Sequence, residues 1–204
     1  MEIRNANRND SVQIGLLHAE SWRTAYSNVL SEEYLSEDIV TDRVAFWSNR
    51  LEVPAAGLRV IVAEQNHQLL GFACFVLDND PEWGTLLDNL HVPPALKRIG
   101  IGTLLMAEVG RICLEQANHH GLYLWVLEPN ENAQKFYKTL GASHAGSDVW
   151  HPPGGGQVPK FRLAWPNLHK FNFQVPISQK QDLSSCPSKP SGVEVQYNLT
   201  DCEA

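Results

Sequence analysis

The stretch Leu90-His91-Val92-Pro93-Pro94-Ala95-Leu96-Lys97-Arg98-Ile99-Gly100-Ile101-Gly102-Thr103 carries the residue types that bind phosphate. A strand-like run ends, a proline-marked loop turns, and a helical pattern begins. The first N–H groups of a helix have no partner within it, and the macrodipole adds positive potential, so such an end attracts anions. Gly100 and Gly102 lack Cβ atoms and let a pyrophosphate approach the backbone. Lys97 and Arg98 add cationic charge beside them. The pattern locates a diphosphate without a metal. It is not a P-loop, because GxxxxGK followed by Ser or Thr is absent. It is not a dinucleotide fingerprint either, because Leu105 stands where the third glycine belongs. The bland alternative is that two glycines punctuate a helix start.

A second chemically loaded segment follows. Leu122–Leu127 is unbroken apolar sequence, as in a strand buried on both faces. It runs into Glu128-Pro129-Asn130-Glu131-Asn132-Ala133-Gln134-Lys135-Phe136-Tyr137-Lys138-Thr139-Leu140-Gly141-Ala142. Tyr137 offers a phenolic proton, or is a packed aromatic beside Phe136. Asn130 either contacts a ligand or caps the helix, with Asn132 as the other cap. Asp88 and His91 lie on one strand, where alternation sends them to opposite faces, so only one can face a cleft. Each is a candidate general base, and a water chain is the alternative.

Together the two segments resemble the GNAT superfamily of acyl-CoA-dependent N-acetyltransferases. Asn130, Ala133, Phe136, Tyr137 and Gly141 match its pattern NxxAxxFYxxxG. Lys97-Arg98-Ile99-Gly100-Ile101-Gly102 resembles its acetyl-CoA signature, with Lys97 in the usual Gln or Arg place. Leu87–Val92 is similar to its fourth strand, and Ser21–Tyr26 to the first helix of many members. Ala142 stands where Phe is common, which concerns packing. The resemblance covers about residues 2–165 and implies a mixed α/β fold of GNAT type. That fold has an antiparallel meander, then a parallel strand–helix–strand unit whose strands splay. It implies acetyl-CoA as co-substrate, transfer to a primary amine by direct attack in a ternary complex, and no metal. Backbone groups of Leu90, His91 and Val92 would hold the pantetheine arm and polarise the thioester. The N–H groups from Arg98 to Thr103 would hold the pyrophosphate. Ala133 and Phe136 would line the coenzyme site, and Tyr137 would protonate the leaving thiolate as general acid. Trp22 and Tyr26, at i and i+4, and the loop His151–Gly156 are acceptor-site candidates. A small-molecule amine is the expected acceptor. The alternatives are a non-catalytic acyl-CoA-binding module, or an acetyltransferase of protein N-termini or lysines. Dimerisation is common in that superfamily, so the resemblance is compatible with a homodimer.

The elements that must position these residues can be read from periodicity. Strands are expected at 2–5, 58–64, 69–77, 85–92, 122–127, 143–150 and 158–164. Asn66-His67 forms a hairpin turn and Gly154-Gly155-Gly156 links the last two strands. Helices are expected after the Asn9-Asp10-Ser11 cap, over 31–51, over 100–119 and over 132–140. All six Trp lie at or before Trp165, while 167–204 holds five Ser and three Pro. A domain over 1–166 and a disordered tail over 167–204 are therefore expected. The net charge of −7 argues against nucleic-acid and anionic-membrane partners. Subtracting the tail's −1, from three Lys against four acids, leaves −6 on the domain, which suits a cationic amine. Cys74, Cys113, Cys186 and Cys202 form no CxxC, and reduced thiols are expected. No signal-peptide h-region or ~20-residue apolar span is present, so the chain reads as cytoplasmic.

Overall fold

The computed structural model describes residues 1–25, 34–151 and 156–171. Strands β1 (Glu2–Asn5), β2 (Leu58–Gln65), β3 (Gln68–Asp80), β4 (Gly84–His91), β5 (Leu122–Leu127), β6 (Ser143–Trp150) and β7 (Val158–Trp165) form one sheet in the order β1-β2-β3-β4-β5-β7-β6. Only β4 and β5 run parallel; every other neighbouring pair is antiparallel. Helices α1 (Ser11–Ala25) and α2 (Ile39–Glu52) lie on one face, and α3 (Ile101–Gln116) joins β4 to β5 across the other. Helix α4 (Glu131–Thr139) follows β5 on the α3 side.

Alternation in β2 and β3 produces the two cores. Val60, Val62, Phe72 and Cys74 meet Ile14 and Leu17 of α1 and Trp47 of α2. Ile61, Ala63, Ala73 and Phe75 point the other way and meet Ile101, Leu105, Met106 and Val109 of α3. Cys74 and Cys113 are buried free thiols within these cores; burial pushes them up to about 12 and about 11, so they stay protonated. Asn66 and His67 turn the β2–β3 hairpin at φ 52° and 62°, as expected of a tight turn that favours Asn.

Several boundaries shift for physical reasons. The N-terminal cap is Asn7, whose side chain accepts from Asn9 N while Asp10 accepts from Asn7 N, so a short turn at Arg8–Asp10 precedes α1. Arg4 clamps that turn with two bonds of 2.8 Å to Asp10. The second helix, α2, begins at Ile39 after one wide helical turn at Tyr34–Asp38, and the expected start at 31 lies outside the described residues. Helix α3 ends at Gln116 because Asp78 accepts from the backbone N–H groups of Asn118 and His119 and pulls the chain away. Packing continues beyond residue 166. Leu168 is 1% exposed and its N–H donates to His120 O, and Phe171 lies against Gly141. Tyr26, the loop 152–155, Cys186, Cys202 and the tail beyond 171 lie outside the described residues.

Gly15 sets the α1–α2 spacing. A Cβ there would sit 2.7 Å from Val44 Cα. Gly15→Val should therefore force the helices apart and lower stability by roughly 1–3 kcal/mol, as overpacking does. Urea unfolding checks this; unchanged stability would mean that the contact yields freely.

Candidate functional site

The parallel β4–β5 ladder is short. Thr85, Leu86 and Leu87 pair with Leu122, Tyr123 and Leu124, and there it stops. Beyond it β5 pairs only with β7, and β4 only with β3. The two strands splay, and among the described residues no strand lies beside the β4 edge from Asp88 onward. A β-bulge marks the departure: Cys74 opposes Asn89 and Phe75 opposes Leu87, so Asp88 is the extra residue.

A cavity of about 1430 Å³ passes through this gap. That exceeds the ~300–1,000 Å³ of most small-molecule pockets, leaving room for two reactants. On the α3 side it is lined by Lys97, Arg98, Gly100, Gly102, Thr103 and Phe136. Asn130, Ala133 and Tyr137 complete that wall, with Leu90, His91 and Val92 at the strand edge. Of the predicted coenzyme residues, only Ile99 and Ile101 turn their side chains elsewhere. Ile99 is exposed and Ile101 is 1% exposed in the core, so each could contribute backbone alone.

Gly100 opens α3 at φ 94°, the left-handed region that a glycine adopts without strain. The first intrahelical bond is from Leu104 N to Gly100 O, so the N–H groups of Ile101, Gly102 and Thr103 precede the ladder. No acidic residue occupies the first turn of α3. Lys97 and Arg98 are exposed and have no ion pair among the described residues. Gly102 also seats the helix: a Cβ there would meet Phe136 Cζ at 3.3 Å. Gly71, which carries no motif in the sequence, lets β3 approach the end of β4. A Cβ there would lie 2.9 Å from His91 O and 3.3 Å from Ile101 Cγ2. These features fit a diphosphate with an extended arm along β4.

Asn130 caps α4 by accepting from Ala133 N at 3.2 Å, so Asn132 is not the cap. Tyr137 is buried, edge-on to Phe136 at 5.1 Å and Trp165 at 6.2 Å, with its side chain reaching the cavity.

The expected opposition of Asp88 and His91 does not hold, because the bulge breaks the alternation and both side chains turn to the α1–α2 face, Asp88 onto Arg50 and His91 onto His18. The Asp88 carboxylate accepts from Arg50 at 2.7 Å. His91 lies 4.6 Å from His18, ring centre to ring centre, and 5.3 Å from Phe72. Desolvation, aided by Lys97, pushes His91 down to about 3. Desolvation pushes His18 down further, with help from His91, Arg43 and Arg50. Both rings are neutral near pH 7.

Trp22 lines the cavity as expected, but most of its surroundings come from residues not singled out in the sequence: His18 and Ser21 on α1, Arg43, Phe46 and Arg50 on α2, and Trp150 on β6. Helix spacing could have revealed them. His18, Ser21 and Trp22 fall at i, i+3, i+4, and Arg43, Phe46 and Arg50 at i, i+3, i+7. Two arginines against Asp88 also reverse, locally, the sign expected from the net charge.

This combination of splayed parallel strands, a glycine-opened helix and a through-going cavity defines an acyltransferase. Residues 19–142 match the family described as Acetyltransferase (GNAT) family, and the chain belongs to it. The uncharacterized N-acetyltransferase YuaI of Bacillus subtilis (strain 168) is 24% identical over 170 residues, 81% of this chain and 93% of that protein. The PaiA N-acetyltransferase of Thermoplasma acidophilum, solved in complex with coenzyme A, superposes with TM-score 0.61 and 22% identity, covering 80% of this chain and 96% of that one. The ribosomal-protein-alanine N-acetyltransferase of Brucella melitensis also gives TM-score 0.61, at 20% identity over 81% and 99% of the two chains. The family uses acetyl-CoA and acts on acceptor substrates. Among the described residues no helix is long and apolar enough to cross a membrane.

The two imidazoles make stability depend on pH. An unfolded His titrates near 6.5. Between that value and its lower folded value, the unfolded chain binds more protons. The stabilisation is therefore full above about pH 6.5 and declines as pH falls. From pH 6.5 down to 5.5, above the carboxylate range, stability should fall by up to about 1.4 kcal/mol per imidazole. His18→Gln should flatten that slope in urea unfolding; a flat wild-type profile would contradict the neutral pair.

Proposed function

We propose that this enzyme transfers the acetyl group of acetyl-CoA to the primary amine of a small molecule, with both reactants held at once in the cavity. The observation that carries this reading is the single cavity joining the unpaired β4 edge, the first turn of α3 and Tyr137 to a second, aromatic-walled region under α1 and α2. The donor supplies an activated thioester. The N–H groups at the start of α3, with Lys97 and Arg98, hold its pyrophosphate. The β4 edge from Leu90 to Val92 pairs with its amide-bearing arm as a neighbouring strand would. A backbone N–H at Leu90 or His91 polarises the thioester carbonyl, where negative charge develops. Tyr137 gives its proton to the departing thiolate as general acid.

Neither base candidate suits direct proton removal from an ammonium. Asp88 is bonded to Arg50, and a His91 held near 3 is a weak acceptor. The amine therefore reacts as its neutral form, losing its proton to solvent through water in the cavity, with His91 and Asp88 shaping the path.

Two variants and one assay test this reading. Tyr137→Phe should lower kcat by roughly 10²-fold while leaving acetyl-CoA affinity unchanged. Unchanged turnover across the pH range would remove the general-acid role. Gly102→Leu should weaken acetyl-CoA binding at least ten-fold by calorimetry, by obstructing the helix start. Normal affinity in a folded variant would refute the pyrophosphate assignment. Thiol release on adding an amine would establish turnover. Acetyl-CoA binding with no release for any amine or peptide would favour a non-catalytic binding module instead.

A further inference from the structure

The half of the cavity under α1 and α2 contains buried hydrogen-bond donors with no acceptor. Trp47 Nε1–H can only donate, and it does so to His18 Nδ1 at 2.9 Å. The neutral His18 ring therefore carries its hydrogen on Nε2. His18 is 2% exposed, and that Nε2 has no partner among the described residues. Arg43 Nε is buried in the same wall and likewise has none. A buried donor without an acceptor costs roughly 1–3 kcal/mol, more for a charged group, so two just behind one wall favour a ligand whose acceptor atoms reach them through a small side-chain shift.

The charges agree. Arg50 is neutralised by Asp88 at 2.7 Å. The Arg43 side chain is 14% exposed, and its guanidinium is held by stacking: its centre lies 4.7 Å from the Trp22 ring and 4.8 Å from Phe46. Its one ion pair among the described residues is to the adjacent Asp42, 2.7 Å away and 41% exposed, on the same helix. A stacked guanidinium keeps its planar edge in a fixed direction and grips a carboxylate through two parallel bonds. Among the cavity-lining residues of this half, Arg43 and Arg50 face one carboxylate, Asp88, and Asp42 behind the wall offsets part of the Arg43 charge, so the positive excess is at most one and suits a carboxylate better than a phosphate carrying close to two charges.

We propose that the acceptor is an amine that also bears a carboxylate, that is, an amino-acid-like small molecule, and that Arg43 anchors the carboxylate. The assignment rests on the acetyl-transfer reading above and narrows its substrate class. The stacked Arg43 sets the acceptor's orientation, so that its amine faces the β4 edge.

The experiment compares matched acceptors in the thiol-release assay: the common amino acids, their methyl esters, the corresponding decarboxylated amines, and phosphoethanolamine. The ester amine is less basic, so more of it is neutral at pH 7; a preference for the free acid therefore cannot come from the amine. The expected result is kcat/KM at least 100-fold higher for one or more free acids than for their esters and decarboxylated amines. Arg43→Gln should raise the acid's KM at least ten-fold with the KM for acetyl-CoA unchanged, and Arg43→Lys should recover part of the loss. Preferred turnover of esters, polyamines or phosphoethanolamine overturns the carboxylate assignment while leaving acetyl transfer standing. Acetyl-CoA binding without turnover of any acid overturns it too, as does an Arg43→Gln variant with unchanged acceptor KM. Failure to bind acetyl-CoA removes the underlying reading as well.

Discussion

The parting of β4 and β5 after Leu87 and Leu124 is the constraint on which the site depends. β5 is held along its whole length by β7, from Leu122 opposite Trp165 to Leu127 opposite Lys160. β4 is held by β3 on its other side, and the extra residue at Asp88 bends it away. Neither strand can close the gap without breaking its outer ladder. Backbone groups on the opened edge need partners, because an unmet buried amide is costly. Water can serve, and so can an extended ligand with its own amides. Helix α3 starts where β4 ends, so the anion-attracting turn sits at one mouth of the gap; Gly71 and Gly100 permit that junction.

Helices α1 and α2 supply the other mouth, and their geometry is fixed independently of the coenzyme side. Gly15 brings α2 against α1, and the His18–Trp47 bond ties the pair at their buried face. From that platform α2 presents Arg43, Phe46 and Arg50 in one line. The aromatic rings do double work here. Trp22 and Phe46 wall the cavity, and their faces also hold the Arg43 guanidinium. A chain with net charge −7 thus has cationic groups at both mouths of its cavity. Net charge describes solubility and long-range field, not the charge of a particular wall of the cavity.

What the residues disclosed follows the strength of each local signal. The unbroken apolar run 122–127 and the Asn66-His67 turn became elements within a residue of expectation, because burial and a left-handed turn each leave a compositional mark. The glycine turn was legible for the same reason: no other residue adopts φ 94° at the helix start so readily. The bulge at Asp88 was not legible. It arises from register between two strands, and neither strand's pattern alone contains it. The arginine pair was legible in spacing but was masked by the overall acidity of the chain. The extension of packing to Leu168 and Phe171 was hidden because two apolar residues amid polar sequence carry no periodicity.

The proton inventory ties these features together. Among the described residues, His18, Asp88 and His91 could take a proton near the β4 edge, and the fold position of each makes it a weaker base. His18 spends Nδ1 on Trp47 and carries hydrogen on Nε2. Asp88 accepts from Arg50 and Asn89. His91 is desolvated between His18 and Phe72 with Lys97 nearby. The same arrangement that makes these groups poor bases makes them good shape: neutral or paired, they do not compete for the ligand's charge. On the proposed reading, acid chemistry at the thiolate is local to Tyr137, whereas base chemistry is delegated to water. Selectivity for the acceptor then comes from the unmatched donors of α1 and α2 rather than from the group that receives its proton. On that reading catalysis and recognition lie on opposite faces of one sheet, joined through the gap between β4 and β5.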